Sequence, residues 1–161
     1  MRRTSELTIS GHTRADATAA FAALTDLARF ASWLPRSFVY RGTEPDSPYR
    51  PLAVGDTYRD RTPLGILDGR VLAVDPPHRV DFTQTTATGH LGIDISYSVA
   101  AGPGGGSLIT RTGTITTTGL LRLVHAPVVW LTGRENRRTL QRLTALLDQR
   151  ATESHGLTPH S

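Results

Sequence analysis

The chain contains no cysteine, and all 18 of its basic residues are arginine, so lysine is missing as well. Without cysteine there is no disulfide, no thiolate nucleophile and no thiolate ligand for zinc. Without lysine there is no amine that could form a Schiff base with a carbonyl substrate. Any catalysis must therefore use histidine, carboxylate or hydroxyl side chains, with arginine as an electrostatic partner.

Apolar residues make up only 38% of the 161 positions, and no apolar run is long enough to span a bilayer. The basic N-terminus leads into no apolar stretch, which argues against a secretory signal, so we expect a cytoplasmic protein. The length predicts a single domain, residues 1–150, followed by a frayed tail over residues 151–161. Both a monomer and a homodimer are compatible with the sequence.

Several motif classes are missing too. The net charge of +4 comes from arginines scattered among acidic residues, without a basic stripe, so we expect no nucleic-acid partner. No two of the six histidines stand four residues apart, so we expect no metal site. The glycine-rich residues 102–106 precede a strand pattern and not a helix, which predicts a hairpin and not a phosphate-binding loop. We therefore expect no cofactor.

Local patterns predict an α+β chain. Alternating or β-branched segments predict strands at residues 6–10, 38–40, 56–62, 67–74, 79–85, 91–101 and 107–117. A short helix is expected over residues 17–24, with Thr13 and Asp16 at its capped start. A second short helix is expected after Thr25 or Asp26, with Pro35 at its end. The proline-rich residues 43–51 predict a loop.

The C-terminal segment, residues 120–149, has helical periodicity. Its apolar stripe contains His125, Val129, Asn136, Leu140, Leu143 and Leu147. Four arginines, at 134, 137, 138 and 142, fall on the opposite side. Pro127 predicts either a kink or a short turn before a long helix that starts near it.

Four local motifs occur in a characteristic order ahead of this segment. They are Leu-Ala-Arg-Phe-Ala-Ser-Trp-Leu-Pro at 27–35, Val-Gly-Asp at 54–56, Gly-Arg-Val at 69–71 and Val-Asp-Pro-Pro-His-Arg-Val at 74–80. This order resembles the START-like (SRPBCC) superfamily, and within it the polyketide cyclase/dehydratase-like group, over residues 5–149. The resemblance implies a helix-grip fold, in which a seven-stranded curved antiparallel sheet wraps on a long C-terminal helix with two short helices. It also implies a cavity between sheet and helix for a small hydrophobic, polyketide- or lipid-like molecule.

Polar residues that interrupt the cavity-facing apolar positions are the candidates for chemistry. On the helix stripe these are His125, a candidate acid or base, and Asn136. Alternatively, His125 caps backbone groups near Pro127. Asp60 is the first choice among carboxylates because it shares a strand face with Tyr58, although it could also be a solvated group paired with an arginine.

Arg111 lies among apolar strand positions and could bind a carboxylate or enolate oxygen, or could instead pair with Asp94. The catalytic candidates are thus His125, Asp60, Tyr58 and Arg111. The remaining candidates for the cavity lining are Phe30, Trp33, Phe82, Gln84, Ile93, Ile95, Tyr97, Val129 and Asn136. Core packing would explain Trp33 equally well.

The resemblance admits two function classes. In the first, the protein is a cofactor-free enzyme that cyclises and dehydrates a reactive intermediate in a shaped, dry cavity of a few hundred Å³. In the second, it binds or carries a lipophilic molecule without turnover. The number of polar candidates exceeds what passive lipid binding needs, so we favour the enzyme.

Overall fold

The computed structural model describes residues 1–34, 36–37, 40–47, 50–63 and 65–156, the side chains of residues 155 and 156 excepted. Its helices are α1 (Ala17–Thr25), a 3₁₀ helix (Leu27–Ser32), a second 3₁₀ helix (Gly119–Val124) and α2 (His125–Gly156). Its strands are β1 (Arg3–Thr13), β2 (Gly42–Pro45), β3 (Thr57–Thr62), β4 (Gly65–Asp75), β5 (Arg79–Thr86), β6 (Leu91–Ala101) and β7 (Ser107–Thr117).

The described strands form one seven-stranded sheet in the order β1-β7-β6-β5-β4-β3-β2, with antiparallel neighbours throughout. Strands β2 to β7 follow one another as a meander, and β1 joins the free edge of β7. The sheet is curved around the long helix α2, as the helix-grip fold requires. The α+β prediction and the helix-grip prediction are therefore confirmed.

The core lies on one face of the sheet, where alternate residues of each strand are buried. In β7 the alternation has no exception along the strand, and Ile109 and Ile115 are almost fully buried. Leu24 of α1 and Leu143 of α2 cover this face. A second, smaller apolar cluster surrounds Ile115 nearer the start of α2.

The cap of α1 and part of residues 43–51 differ from the sequence predictions. Asp16 is the N-cap and accepts a hydrogen bond from Ala19 N at 2.8 Å. Thr13 does not cap this helix, because it ends β1 and its hydroxyl donates to Asp148 of α2 at 2.6 Å. The predicted loop over residues 43–51 begins with part of β2. The strand prediction at residues 38–40 falls largely outside the described residues.

The C-terminal segment resolves the two alternatives at Pro127. A 3₁₀ helix ends at Val124 and α2 begins at His125, which places Pro127 in the first turn of α2. Backbone N–H groups of a first turn have no acceptor within the helix, so proline fits there without a kink. The helix continues to Gly156, beyond the predicted start of the tail at residue 151. Across the described part of the chain, no helix combines the length and hydropathy that a membrane span requires.

Candidate functional site

A pocket of about 130 Å³ lies between the buried face of the sheet and α2. Its wall combines members of both apolar clusters, such as Phe82 and Leu67. It is smaller than the few hundred Å³ that the sequence led us to expect. It brings together the predicted site residues Phe30, Trp33, Tyr58, Asp60, Phe82, Gln84, Ile93, Ile95, Tyr97, Arg111 and Asn136.

Asp60 is a buried carboxylate in the wall of this pocket, with 8% of its surface exposed. Its Oδ1 accepts from the Thr43 hydroxyl and its Oδ2 from Gln84 Nε2, each at 2.5 Å. Burial raises the pKa of Asp60 from its ordinary 3.8 to about 6, and the two hydrogen bonds oppose part of that rise. The neighbouring arginines 59 and 61 pair instead with Asp68 and Glu44. Asp60 is therefore not the solvated, arginine-paired group of the alternative interpretation.

Tyr58 and Gln84 meet beside Asp60 although they belong to strands β3 and β5, with β4 between them. Gly69 of β4 is the cross-strand neighbour of both residues. A Cβ at position 69 would lie 2.3 Å from the Tyr58 ring, so glycine is required for the ring to cross β4. Gln84 Nε2 then donates to the Tyr58 hydroxyl at 3.1 Å as well as to Asp60.

The Tyr58 hydroxyl has a raised pKa in this arrangement. Burial, with a further contribution from the charge of Asp60, raises the pKa of its hydroxyl well above the ordinary range. The phenol therefore stays protonated at neutral pH. Because its oxygen accepts from Gln84, its own proton is free to be donated to a group in the pocket.

Arg111 lies on the buried face of β7, opposite Tyr97 of β6, with 9% of its surface exposed. Its Nε donates to the Tyr97 hydroxyl at 3.0 Å, and the guanidinium carbon lies 5.6 Å from the centroid of the Tyr97 ring. The predicted alternative, a salt bridge to Asp94, does not form. Asp94 instead accepts from the Thr83 hydroxyl at 2.6 Å.

The 3₁₀ helix that follows α1 supplies an aromatic wall. Phe30 and Trp33 both line the pocket, and their ring centroids are 4.9 Å apart. Trp33 is only 3% exposed and belongs to the main apolar cluster as well. Core packing and cavity lining are thus combined in this one side chain.

His125 and Val129 are not among the residues that line the pocket. The His125 ring is buried at the start of α2, between two hydroxyl groups. Its Nε2 lies 2.9 Å from Ser5 Oγ and its Nδ1 lies 2.8 Å from Thr117 Oγ1. Val129 packs against the second apolar cluster. The structure therefore separates His125 from Asp60 and Tyr58, and we do not retain it as the proton carrier.

The sequence interpretation missed several lining residues. Tyr40, which lines the pocket, was not singled out. Its hydroxyl lies 2.7 Å from Oγ1 of Thr43, the hydrogen-bond partner of Asp60 that was assigned to a loop. Burial, with help from the Asp60 charge, raises the pKa of Tyr40 to about 12. Thr132 and Thr139 of α2 also face the pocket, at positions i−4 and i+3 from Asn136. That helical spacing was the available signal for these two.

The described residues contain no cluster of three or more histidine and acidic side chains that could hold a metal ion. The groups available for chemistry are a carboxyl group with a pKa of about 6, a protonated phenol and a guanidinium in an apolar pocket. A carboxylate of this kind can remove a proton from carbon, and the other two groups can stabilise the oxygen anion that results.

The sheet wrapped on a long helix, with a pocket between the two, defines a helix-grip protein. A family model described as "Polyketide cyclase / dehydrase and lipid transport" matches residues 4–148, and the chain belongs to this family. No curated protein matches the chain.

Solved structures with the same fold are distant in sequence. A protein of unknown function from Staphylococcus aureus is 12% identical, with a TM-score of 0.70, and the match covers 94% of this chain and 98% of that one. A point mutant of norcoclaurine synthase from Thalictrum flavum, in complex with a transition state analogue, gives the same four values. A protein from Mesorhizobium loti is 17% identical, with a TM-score of 0.66 and coverage of 90% and 98%. At these identities the likeness concerns the fold alone.

Proposed function

We propose that the protein binds a small, mainly apolar carbonyl compound in the pocket and catalyses its cofactor-free cyclisation and dehydration. The observation that carries the proposal is the buried Asp60 carboxyl, whose pKa of about 6 suits a general base near neutral pH. Membership of a family described by polyketide cyclisation and dehydration supports the same reaction class.

The proton transfers can be assigned to named groups. Asp60 takes a proton from a carbon next to a carbonyl group, and the enolate carbon bonds to a second carbonyl carbon of the same molecule. The alkoxide formed there takes the Tyr58 proton, and Tyr58 recovers one from the protonated Asp60. Asp60 then removes the second α-proton and returns it to the leaving hydroxyl group, so that one water molecule is lost.

Heptane-2,6-dione is a suitable test substrate, because its ring closure with loss of water gives 3-methylcyclohex-2-enone, which absorbs in the ultraviolet. We expect the wild-type protein to accelerate enone formation and Asp60→Asn to reduce the rate about 100-fold, the usual size of a general-base contribution. Asp68→Asn is the matched control, since Asp68 is an exposed carboxylate on the neighbouring strand β4. Equal rates for the wild type and Asp60→Asn would contradict the assignment.

A carrier without turnover is the second candidate, since the family description includes lipid transport and the pocket has an aromatic wall. The two candidates differ in what Asp60 contributes. For a carrier, the protein would retain bound ligand through purification and produce no enone, and Asp60→Asn would leave ligand retention unchanged. Native mass spectrometry of the freshly purified protein measures that retention.

A further inference from the structure

We propose that Arg111 and Asn136 form a binding site for a carboxylate group of the ligand, so that the ligand is an apolar organic acid. This inference rests on the proposed function of the pocket and specifies its substrate class. It would place the acid group at the β7–α2 end of the pocket, away from the Asp60 carboxyl on β3.

The first support is that Arg111 is a buried cation without a counterion in the part of the chain that the structure describes. None of the ion pairs among the described residues includes it, and its only hydrogen bond there is the one from Nε to Tyr97. Every fully buried side-chain nitrogen of the described residues has a hydrogen-bond partner. The two terminal guanidinium nitrogens of Arg111 have none among these residues, so they are not fully buried and remain open to the pocket. A buried charge is costly unless it is paired, and an anionic ligand would supply the missing pair.

The second support is a neighbouring hydrogen-bond donor that is also unpaired among the described residues. Asn136 is 8% exposed, lines the pocket, and makes no side-chain hydrogen bond within the described residues. Gly113 lies beneath both groups: a Cβ there would be 3.4 Å from Arg111 Nη1 and 4.0 Å from Asn136 Nδ2. The missing side chain thus leaves space in front of two nitrogen donors, the donor type that carboxylate oxygens prefer.

The third support is the surface beside the pocket. A depression there carries the four arginines Arg36, Arg134, Arg138 and Arg142, of which Arg138 pairs with Glu135 at 3.7 Å. Glu135 and Thr139 belong to both the depression and the pocket wall. Clustered positive charge at the mouth of a site raises the local concentration of anions and speeds their association. An acidic ligand would therefore be attracted before it reaches Arg111.

The test compares two probes of the same shape, the anionic 2-naphthoate and the neutral 2-naphthamide, by isothermal titration calorimetry at pH 7. We expect the wild-type protein to bind the acid about 10- to 100-fold more tightly, the range for a charge-assisted hydrogen-bond pair. Arg111→Met, which keeps the unbranched apolar stem and removes the guanidinium, should remove this preference and leave amide binding unchanged. Arg59→Met is the control, because it removes an exposed arginine of β3 and should leave the preference intact.

A merely structural role for Arg111 predicts a different pattern. If Arg111 only holds Tyr97, Arg111→Met should lower the thermal unfolding midpoint and weaken both probes equally, and that result would overturn the inference. We expect an unchanged or higher midpoint instead, because the substitution removes an unpaired buried charge. If wild-type protein binds both probes equally, the carboxylate site is refuted while the pocket stands. If neither probe binds, the proposed function fails together with the inference.

Discussion

Replacing Asp60 with asparagine should change how the stability of the protein depends on pH. The folded-state pKa of Asp60 is raised to about 6 from 3.8, so the folded protein favours the neutral carboxylic acid. The stability that this group contributes is therefore complete below pH 3.8 and is lost as the pH rises through about 6. Asparagine keeps the shape and stays neutral throughout. The Thr43 hydroxyl and the Gln84 amide can both rotate to match it.

The size of the effect follows from the two pKa values. One pKa unit corresponds to about 1.4 kcal/mol, so the wild type should lose about 3 kcal/mol relative to Asp60→Asn across this window. Above about pH 6 the difference should become constant, because both folded and unfolded wild-type chains then carry the charge. The estimate applies to a side chain that is only 8% exposed, so solvent screening reduces it little.

Urea unfolding of both proteins at several pH values between 4 and 8 measures this difference. Subtracting the two free energies of unfolding at each pH cancels the contributions of the titrating groups that both proteins share. Asp81→Asn provides a control of opposite sign. Burial raises the pKa of Asp81, but hydrogen bonds from Arg79 and Ser96 outweigh it and the net pKa is lowered. Asp81 should therefore contribute stability at neutral pH that is lost on acidification. A difference between wild type and Asp60→Asn that does not vary with pH would refute the reasoning.

Three further results are expected. Gly69→Ala should destabilise the protein by about 1–3 kcal/mol in urea unfolding, because its Cβ would lie 2.3 Å from the Tyr58 ring. Gly92→Ala, whose Cβ meets nothing within 3.8 Å, should destabilise it much less. Equal losses of stability would contradict this prediction. His125→Asn should lower the thermal midpoint, because the contacts of the ring with two hydroxyl groups are lost, and should not change the rate of enone formation. A large loss of rate at unchanged stability would indicate that His125 takes part in catalysis. The wild-type kcat/KM for heptane-2,6-dione should rise with pH through about 6, the pKa of Asp60, whereas a flat profile would argue against a carboxylate base.

The fold was accessible from the sequence because its signals are local. Alternation along β5, β6 and β7 and the helical stripe of α2 each depend on neighbours a few residues apart. The exposed arginines of α2 lie where the stripe predicted them, opposite Leu140 and Leu143. The cap at Asp16 and β2 were harder to predict, since Thr13 has an equally good capping side chain and prolines mask a short edge strand.

For the candidate site, too, local patterns were predictable and contacts between distant strands were not. Inward-facing polar residues such as Asp60 and Arg111 could be selected because they share strand faces with apolar neighbours. Which of the selected residues bond to one another could not be predicted, because Gln84 reaches Asp60 across β4 only in the observed register. The position of His125 outside the pocket could not be predicted for the same reason, since its contact with Ser5 joins residues that are far apart in the chain.

By itself the sequence determined the succession of strands and helices, the absence of thiol and amine chemistry, and the set of polar side chains directed at the core. Only the tertiary structure decided which of these groups share a pocket. Burial raises the pKa of Asp60 to about 6, and the absence of a side chain at Gly69 lets the Tyr58 ring cross β4. Among the described residues, Arg111 has no carboxylate partner. Burial and cross-strand register depend on contacts between distant segments, and no short stretch of sequence encodes them.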